Sequence, residues 1–367
     1  MVAALLAVSV VATIIAWTAG SPKKPLQAVR GVIASDDNEF FSDPRVRAAF
    51  ATRGLELKLT TVVNAQIAAT AHRSKSDFAF GAWIPDVQQI VSARSAKTSF
   101  VPFFTPMAVA TSTDIAQVLE RAGVAHDHGG WWTLDMKGFL DLVARHVRWN
   151  QLAGNAAYSA TNVVRITSTD VTTESSAEAY ASIASYVANQ DRVLGSVSSV
   201  DQVVNQVSSL FLEQNHRDQS TEVLFHDYLS RREGPTAMVM ISEAQFVARA
   251  AARDGSIGPN MVLMYPSPDV LSQYTLVPLS AAGDTVGRLL TDDPSLRQLA
   301  VEHGFRITSK PKVFGSFVEQ GKLAVQPQVP DVVAPPTEDI LRALMTRIDA
   351  ALHVALGPLP GSTASVE

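Results

Sequence analysis

Five short stretches of this chain gather the side chains able to hold a small polar molecule. They are Ser35-Asp36-Asp37-Asn38, Asn64-Ala65-Gln66, Gly81-Ala82-Trp83, Ser168-Thr169-Asp170 and Glu243-Ala244-Gln245. Each follows an apolar, strand-like run, and open α/β sheets bind ligands beyond the carboxyl ends of their strands. Helix-start N–H groups, hydroxyls and amides offer hydrogen bonds there rather than nucleophiles. The candidate ligand-binding residues are Ser35, Asp36, Asn64, Gln66, Trp83, Ser168, Thr169, Asp170, Glu243 and Gln245, with Tyr265 at the end of a later strand. Ser35, Ser168 and Asp170 suit helix caps and turns equally well. Asn64 and Gln66 also suit an exposed loop, and Trp83 suits either stacking on a ligand or packing. Trp131-Trp132, beside two glycines, reads as local packing.

The charge of these loops bears on the ligand. Asp36, Asp37, Glu39, Asp170 and Glu243 lie in or beside them, whereas Arg and Lys are scarce there. A strongly anionic ligand normally recruits Arg, so the balance points to a neutral, zwitterionic or cationic solute. Asp37 and Glu39 themselves read as solvated turn residues. His126-Asp127-His128 has metal-ligand residue types, but three adjacent side chains do not converge on one ion and no partner cluster accompanies them. Gly-x-Ser-x-Gly, His-Glu-x-x-His, P-loop and Gly-x-Gly-x-x-Gly patterns are all missing. The chain is expected to be a binding protein, not an enzyme, with no cofactor and no bound metal.

At 367 residues the chain suits two domains, and 47% apolar residues suffice for sizeable cores. A net charge of −5 without a basic stripe argues against a nucleic-acid partner. Without cysteine, disulfides, thiolate metal sites and a lipid-modified N-terminal cysteine are excluded. Val2–Ala19 is uncharged and apolar; as a helix it would span roughly 27 Å, near the hydrocarbon thickness of a bilayer. It reads as a secretory signal or an uncleaved anchor. Either places the body outside the cytoplasm, secreted or associated with the cell membrane through that helix.

The elements that must position the loops alternate. Val29–Ala34 reads as a strand, Asp43–Arg53 as a helix with Asp43 as cap and Pro44 in its first position, and Leu55–Val63 as a strand. Helix from Gln66, strand Asp77–Phe80 and helix Asp86–Ala93 follow. Such alternation argues for a mostly parallel sheet flanked by helices. Phe103–Thr111 is a strand-like run interrupted by Pro106, and a proline inside a buried strand marks an edge, a bulge or a crossing. Beyond it the pattern restarts: helix Asp114–Arg121, loop His126–Trp132, helix Asp135–Arg148, strand Val163–Thr167, helices Ser175–Asn189, Val200–Gln214 and Glu222–Ser230, and strand Ala237–Ile241. Met261–Tyr265 is the return strand, so that the pair makes a hinge. Helices Ala282–Leu290, Ser295–His303 and Thr337–Ala355 complete the body, the last after a proline-rich extended stretch, Val325–Pro336.

Three passages resemble the type 2 periplasmic solute-binding proteins of ABC importers: Val32-Ile33-Ala34-Ser35, Phe103 to Ala110, and Leu299 to Arg306 with its Gly-Phe-Arg ending. Trp132 to Met136, Thr167–Val171 and Met238–Ala250 are similar to an actinobacterial branch of such proteins. The resemblance implies an α/β, two-lobe type 2 periplasmic-binding-protein fold, each lobe a mostly parallel sheet flanked by helices, joined by crossing strands. It also implies a monomer that traps a small-molecule solute by hinge closure, with an ABC permease as its partner. A membrane-tethered sensory or interaction module of the same fold is the alternative. The expected organisation is a signal peptide or anchor over 1–20, a linker over 21–28, lobe 1 over 29–106 plus 261–356, lobe 2 inserted over 107–260, and a disordered tail over 357–367.

Overall fold

The computed structural model describes residues 25–82, 99–212, 214, 220–230, 236–329 and 331–356. The apolar segment Val2–Ala19, Trp83, the helix expected over Asp86–Ala93 and the tail from Gly357 lie outside the described residues.

The first three strands, β1 (Gln27–Ala34), β2 (Leu55–Val62) and β3 (Phe78–Ala82), pair in parallel, with β1 in the centre. Parallel strands need crossovers, and α1 (Asn38–Ser42), α2 (Pro44–Thr52) and α3 (Ile67–Arg73) supply them. Asp43 caps α2 by accepting from the Arg45 N–H at 2.7 Å, and Pro44 opens the helix, as the sequence predicts. Then comes β4 (Phe100–Ser112), thirteen residues long. It leads into α4 (Thr113–Arg121), the hairpin β5 (Ala125–Asp127) and β6 (Trp132–Asp135), and α5 (Met136–Ala144). Three helices follow: α6 (Ser175–Ala188), α7 (Val197–Ser208) and α8 (Thr221–Ser230). The chain continues through β7 (Val239–Ser242), α9 (Glu243–Ala252), β8 (Met261–Ser267), β9 (Leu271–Pro278), α10 (Ala281–Asp292) and α11 (Pro294–Glu302). It ends with β10 (Arg306–Ile307), α12 (Lys312–Gly321) and α13 (Glu338–Leu356).

Strand β4 is the crossing. Its first half, to Pro106, pairs antiparallel with β9 and β10 beside β3. From Met107 it pairs antiparallel with β7 and β8, which carries β6 and β5 beyond it. Among the described strands, parallel pairing joins β1–β3 and β6 with β8, where helices make the return; the strands that cross between lobes meet antiparallel. Pro106 sits where the partners change, and there a missing N–H costs little.

Several local expectations are corrected. Ser112, one residue before α4, caps it by accepting from the Ile115 N–H, so Asp114 lies inside the first turn. The loop expected over His126–Trp132 forms part of the β5–β6 hairpin. The strand expected over Val163–Thr167 makes only isolated bridges, Val163 to Arg148 and Thr167 to Val239. Helix α12, directly after Lys310-Pro311, was not anticipated. The last helix, expected with lobe 1, packs instead on α7 and α6. Leu341, Leu344, Met345, Ile348 and Leu352 form one apolar stripe, and all five are buried in the core built by the inserted segment.

Candidate functional site

The loops after β1 and β2 and the N-terminus of α6 meet between the lobes. Ser35–Asp37 forms a single tight turn at the end of β1, and Asn64–Gln66 forms another at the end of β2. Gly81 at the end of β3 keeps this junction close: a Cβ there would stand 2.7 Å from Ile67 Cδ1. From the other lobe, Thr221 donates its hydroxyl to Asp36 Oδ2 at 2.6 Å. Asn64 reaches across with its Nδ2, which donates to Glu174 Oε2 at 3.4 Å and to Ser175 Oγ at 3.3 Å.

Three carboxyls lie near one another here, with Asp36 between Asp37 and Glu174. Asp37 is 1% exposed and Glu174 2% exposed, while Asp36 is half-buried. Asp37 was expected as a solvated turn residue; the turn instead buries it. Glu39 is exposed, as expected, and lines the cleft mouth. Burial pushes Asp36 up to about 6, partly offset by the Thr221 hydrogen bond. Burial and then neighbouring Asp36 push Glu174 up to about 9. Asp37 rises well above the usual carboxylate range by burial first and by Asp36 second. Neither oxygen of Asp37, nor Glu174 Oε1, nor Asn64 Oδ1, nor Ser168 Oγ has a hydrogen-bond partner. Such buried acceptors are costly and rare in a purely structural setting.

The cleft is floored by aromatic rings. Phe40, Tyr274 and Phe305 line it together with Met107 and His303. Phe305 stacks on Phe103 at 5.4 Å, and Tyr274 meets Phe305 edge-on at 4.9 Å. Burial, then Asp37 and Asp36, hold the Tyr274 phenol well above its usual range, so it stays a neutral donor. With the lobes in contact the remaining hollow is about 40 Å³. A broader open groove of about 680 Å³ runs along β2 and α2, where Leu57, Lys58 and Arg47 line it; it does not include the loops at the strand ends.

Of the sequence candidates, Ser35, Asp36, Asn64, Ser168 and Thr169 lie at or beside this junction. Thr169 shares a 2.6 Å hydroxyl contact with Ser176 in the first turn of α6, and the Ser168 N–H donates to Gln214 Oε1 at 3.0 Å. Asp170 accepts from the Thr172 N–H at 2.7 Å, a turn contact. Gln66 is exposed. Gln245 lines the cleft but closes a capping box with Ser242 at the start of α9. Glu243 and Tyr265 belong to a different arrangement. Arg306 holds Glu243 with two bonds of 2.7 Å, and the Tyr265 hydroxyl donates to the same carboxylate at 2.6 Å. The Arg306 guanidinium also lies over the Phe314 ring at 4.3 Å, and the backbone oxygens of Gln326 and Pro327 accept from it. Gly304 makes this possible: its φ is +80°, and a Cβ there would meet Ala244 O at 2.3 Å. Glu174, Thr221, Tyr274 and Phe305 were not singled out from sequence. Glu174 and Thr221 follow no strand, so the rule that finds strand-end loops passes over them.

His126-Asp127-His128 serves the hairpin: Asp127 accepts from the Gly129 N–H at 2.8 Å, and His128 stacks on Trp131 at 4.2 Å. Among the described residues no three His, Asp or Glu side chains are placed to hold a metal ion. Nor, among them, is any helix long and apolar enough to cross a membrane.

No protein-family model matches this chain, and no curated protein matches its sequence. Solved structures do match in fold. The sulfate-binding protein SubI from Mycobacterium tuberculosis H37Rv aligns with a TM-score of 0.53 at 13% identity, over 86% of this chain and 96% of that one. The apo ferric ion-binding protein A of Pasteurella haemolytica gives 0.52 at 11% identity, over 90% and 96%. An ABC transporter solute-binding protein from Thermotoga lettingae TMO, bound with α-D-tagatose, gives 0.51 at 13% identity, over 91% and 95%. The fold is therefore the two-lobe type 2 periplasmic-binding-protein architecture. The ligands named for these three are an anion, a metal cation and a sugar, so the fold leaves the chemistry of the cleft to its own residues.

Proposed function

We propose that this protein is an extracytoplasmic solute-binding protein. It traps a small ligand between its lobes by hinge closure and presents the closed form to an ABC-type importer. One observation carries the reading: β4 passes from one sheet into the other at Met107, and polar loops from both lobes face each other across the gap beside it. A shared strand lets two rigid lobes move about a few backbone torsions. A ligand that touches both lobes then raises the population of the closed form by its extra affinity for it. The polar contacts that cross the junction run between hydroxyls, amides and carboxyls, which supports binding.

At neutral pH the buried carboxyls oppose closure until a ligand answers them, so the free protein opens in solution. The test is a thermal-shift screen of sugars, amino acids, amines, oxyanions and metal salts on the soluble body, followed by small-angle scattering. A solute that raises the melting temperature should also shrink the radius of gyration. A proven ligand that leaves the particle size unchanged would overturn the trap. The protein is expected to scatter as a monomer throughout.

A further inference from the structure

We propose that the cleft selects a small organic cation, an amine with at least one protonated nitrogen, and that Asp36, Asp37 and Glu174 are its counter-charges. This rests on reading the cleft as the binding site and names the chemistry of its occupant.

The observation is an imbalance. Asp269 takes the Val270 N–H at 2.7 Å on one oxygen and has no partner on the other, whereas Glu243 is answered by Arg306 and Asp293 by Arg53 at 2.5 Å. The lobe junction has no such answer. Asp36 receives the Thr221 hydroxyl, Glu174 receives a long contact from the Asn64 amide, and Asp37 receives nothing. Asp37 and Glu174 do not themselves line the hollow; they are buried behind Asp36, which does, and Asp37 is also within electrostatic reach of Tyr274, whose ring lines it. The remaining charged groups around the junction do not change the sign. Glu222 is held by Arg249, His303 by Asp43, and Asp170 and Glu178 add further negative charge near Glu174.

Each class of solute meets this environment differently. An anion would be repelled by three carboxyls and would find no Arg or Lys among the residues lining the hollow. A sugar supplies donors but leaves the charge uncompensated, which in a buried site is the costly part. A divalent metal ion needs several oxygen or nitrogen ligands at one point, and among the described residues no triad of acids or histidines provides it. A protonated amine supplies charge and up to three N–H donors to the orphaned acceptors. Its carbon atoms suit the faces of Phe40, Tyr274 and Phe305, where a cation is also held by the ring quadrupole. The hollow of about 40 Å³ is of the size of one ammonium group, so bulkier amines are held with the lobes less tightly closed.

The experiment is calorimetric titration of the soluble body with methylammonium, putrescine and ethanolamine hydrochlorides, with sodium sulfate, magnesium chloride and glucose as comparators. At least one amine should bind with one-to-one stoichiometry and the comparators should not. Glu174→Gln and Asp37→Asn, which keep shape and remove charge, should each weaken that amine by roughly tenfold or more without lowering the melting temperature. Binding should release protons, seen as a buffer-dependent heat, and tighten as pH rises above about 6, because a neutral carboxyl must ionise to meet the cation. If none of the three amines binds, or if both variants bind the amine as tightly as the parent, the inference fails. Binding of sulfate, glucose or magnesium in place of an amine overturns the cation but leaves the solute trap standing. The trap itself falls only if no proven ligand compacts the particle.

Discussion

Two buried acidic clusters, one at the hinge and one in the cleft, obey the same electrostatics and end differently. At the hinge Glu243 is wholly buried, and Arg306 and Tyr265 satisfy it with three short hydrogen bonds. Beside the cleft Asp37 and Glu174 are buried as deeply, yet among the described residues no cation meets them, and both oxygens of Asp37 and one of Glu174 have no hydrogen-bond partner. The hinge cluster is closed on itself and ties β8, α9 and β10 together. The cleft cluster is incomplete without something brought from outside. Burial of an acid therefore does not by itself mark a site here, and neither does one missing counter-charge, since Asp269 is buried with an unpartnered oxygen away from the hollow. What sets the cleft apart is three such acids close together beside the hollow.

The largest expected effect lies at the hinge. Arg306→Ala leaves Glu243 buried and unpaired, and breaking a buried pair from one side costs about 3–5 kcal/mol. Chemical denaturation should show that loss, and adding Glu243→Gln to the same chain should recover part of it. A loss under about 1 kcal/mol would mean the hinge carboxylate is not charged as its geometry implies, and the contrast between the clusters would collapse.

The cleft should respond with the opposite sign. Glu174→Gln removes a carboxyl that the fold holds protonated at a cost near neutral pH, so the free protein should gain stability there. The pH dependence follows from the same shifts. Asp36 and Glu174 titrate higher in the folded chain than in the unfolded one, at about 6 and about 9. Their contribution is complete below the ordinary carboxylate range and is lost as pH rises through those values. For Asp36 the loss is at most about 3 kcal/mol, and opening of the lobes limits it further. Asp43 runs the other way. Burial raises its carboxyl, but hydrogen bonds from Arg45 and His303 outweigh that and hold it below the usual range. Its contribution is present above that range and disappears as pH falls. Urea midpoints should accordingly decline from mildly acid to alkaline pH, and the Glu174→Gln variant should flatten the slope. An unchanged slope in that variant would place the pH dependence elsewhere.

How much of this contrast was legible in the sequence depends on range. The crossing strand was, because Pro106 interrupts a long apolar run and the α/β pattern restarts after it. Asp36 and Asn64 were, because they follow strands. Glu243 and Tyr265 also fit a strand-end rule, but the partner that occupies them, Arg306, lies 63 residues from Glu243 along the chain. No local pattern reports such a contact. Glu174 stands in irregular chain before α6, and only the folding of the two lobes brings it near Asp36. The charge of Asp37 was visible; its inward direction was decided by the turn at the end of β1 and by packing that composition does not encode.

A smaller effect separates the two lobes' shares of the cleft. Thr221→Val removes the hydroxyl that reaches Asp36 from the second lobe and keeps the shape of the side chain. A hydrogen bond to a charged group contributes about 1.5–3 kcal/mol, and this one exists only with the lobes together. The melting temperature of the free protein should hardly move. The stabilisation gained on adding a bound amine should shrink, because the closed form has lost one of its ties. Equal losses with and without amine would mean that Thr221 supports the fold and not closure.

The smallest effect calibrates the rest. Arg45 pairs with Asp43 and Glu302, but its own side chain is 60% exposed. Water already solvates an exposed guanidinium well, and holding a long side chain in place costs entropy, so such pairs contribute about 0–1 kcal/mol. Arg45→Ala should shift the unfolding midpoint by no more than that, and the shift should shrink further in high salt, which screens exposed pairs before buried ones. The Arg306 deficit should persist at the same salt concentration. If the two substitutions proved equally costly and equally salt-sensitive, the number of ion-pair contacts would govern stability here, and burial would lose its place in the comparison of hinge and cleft.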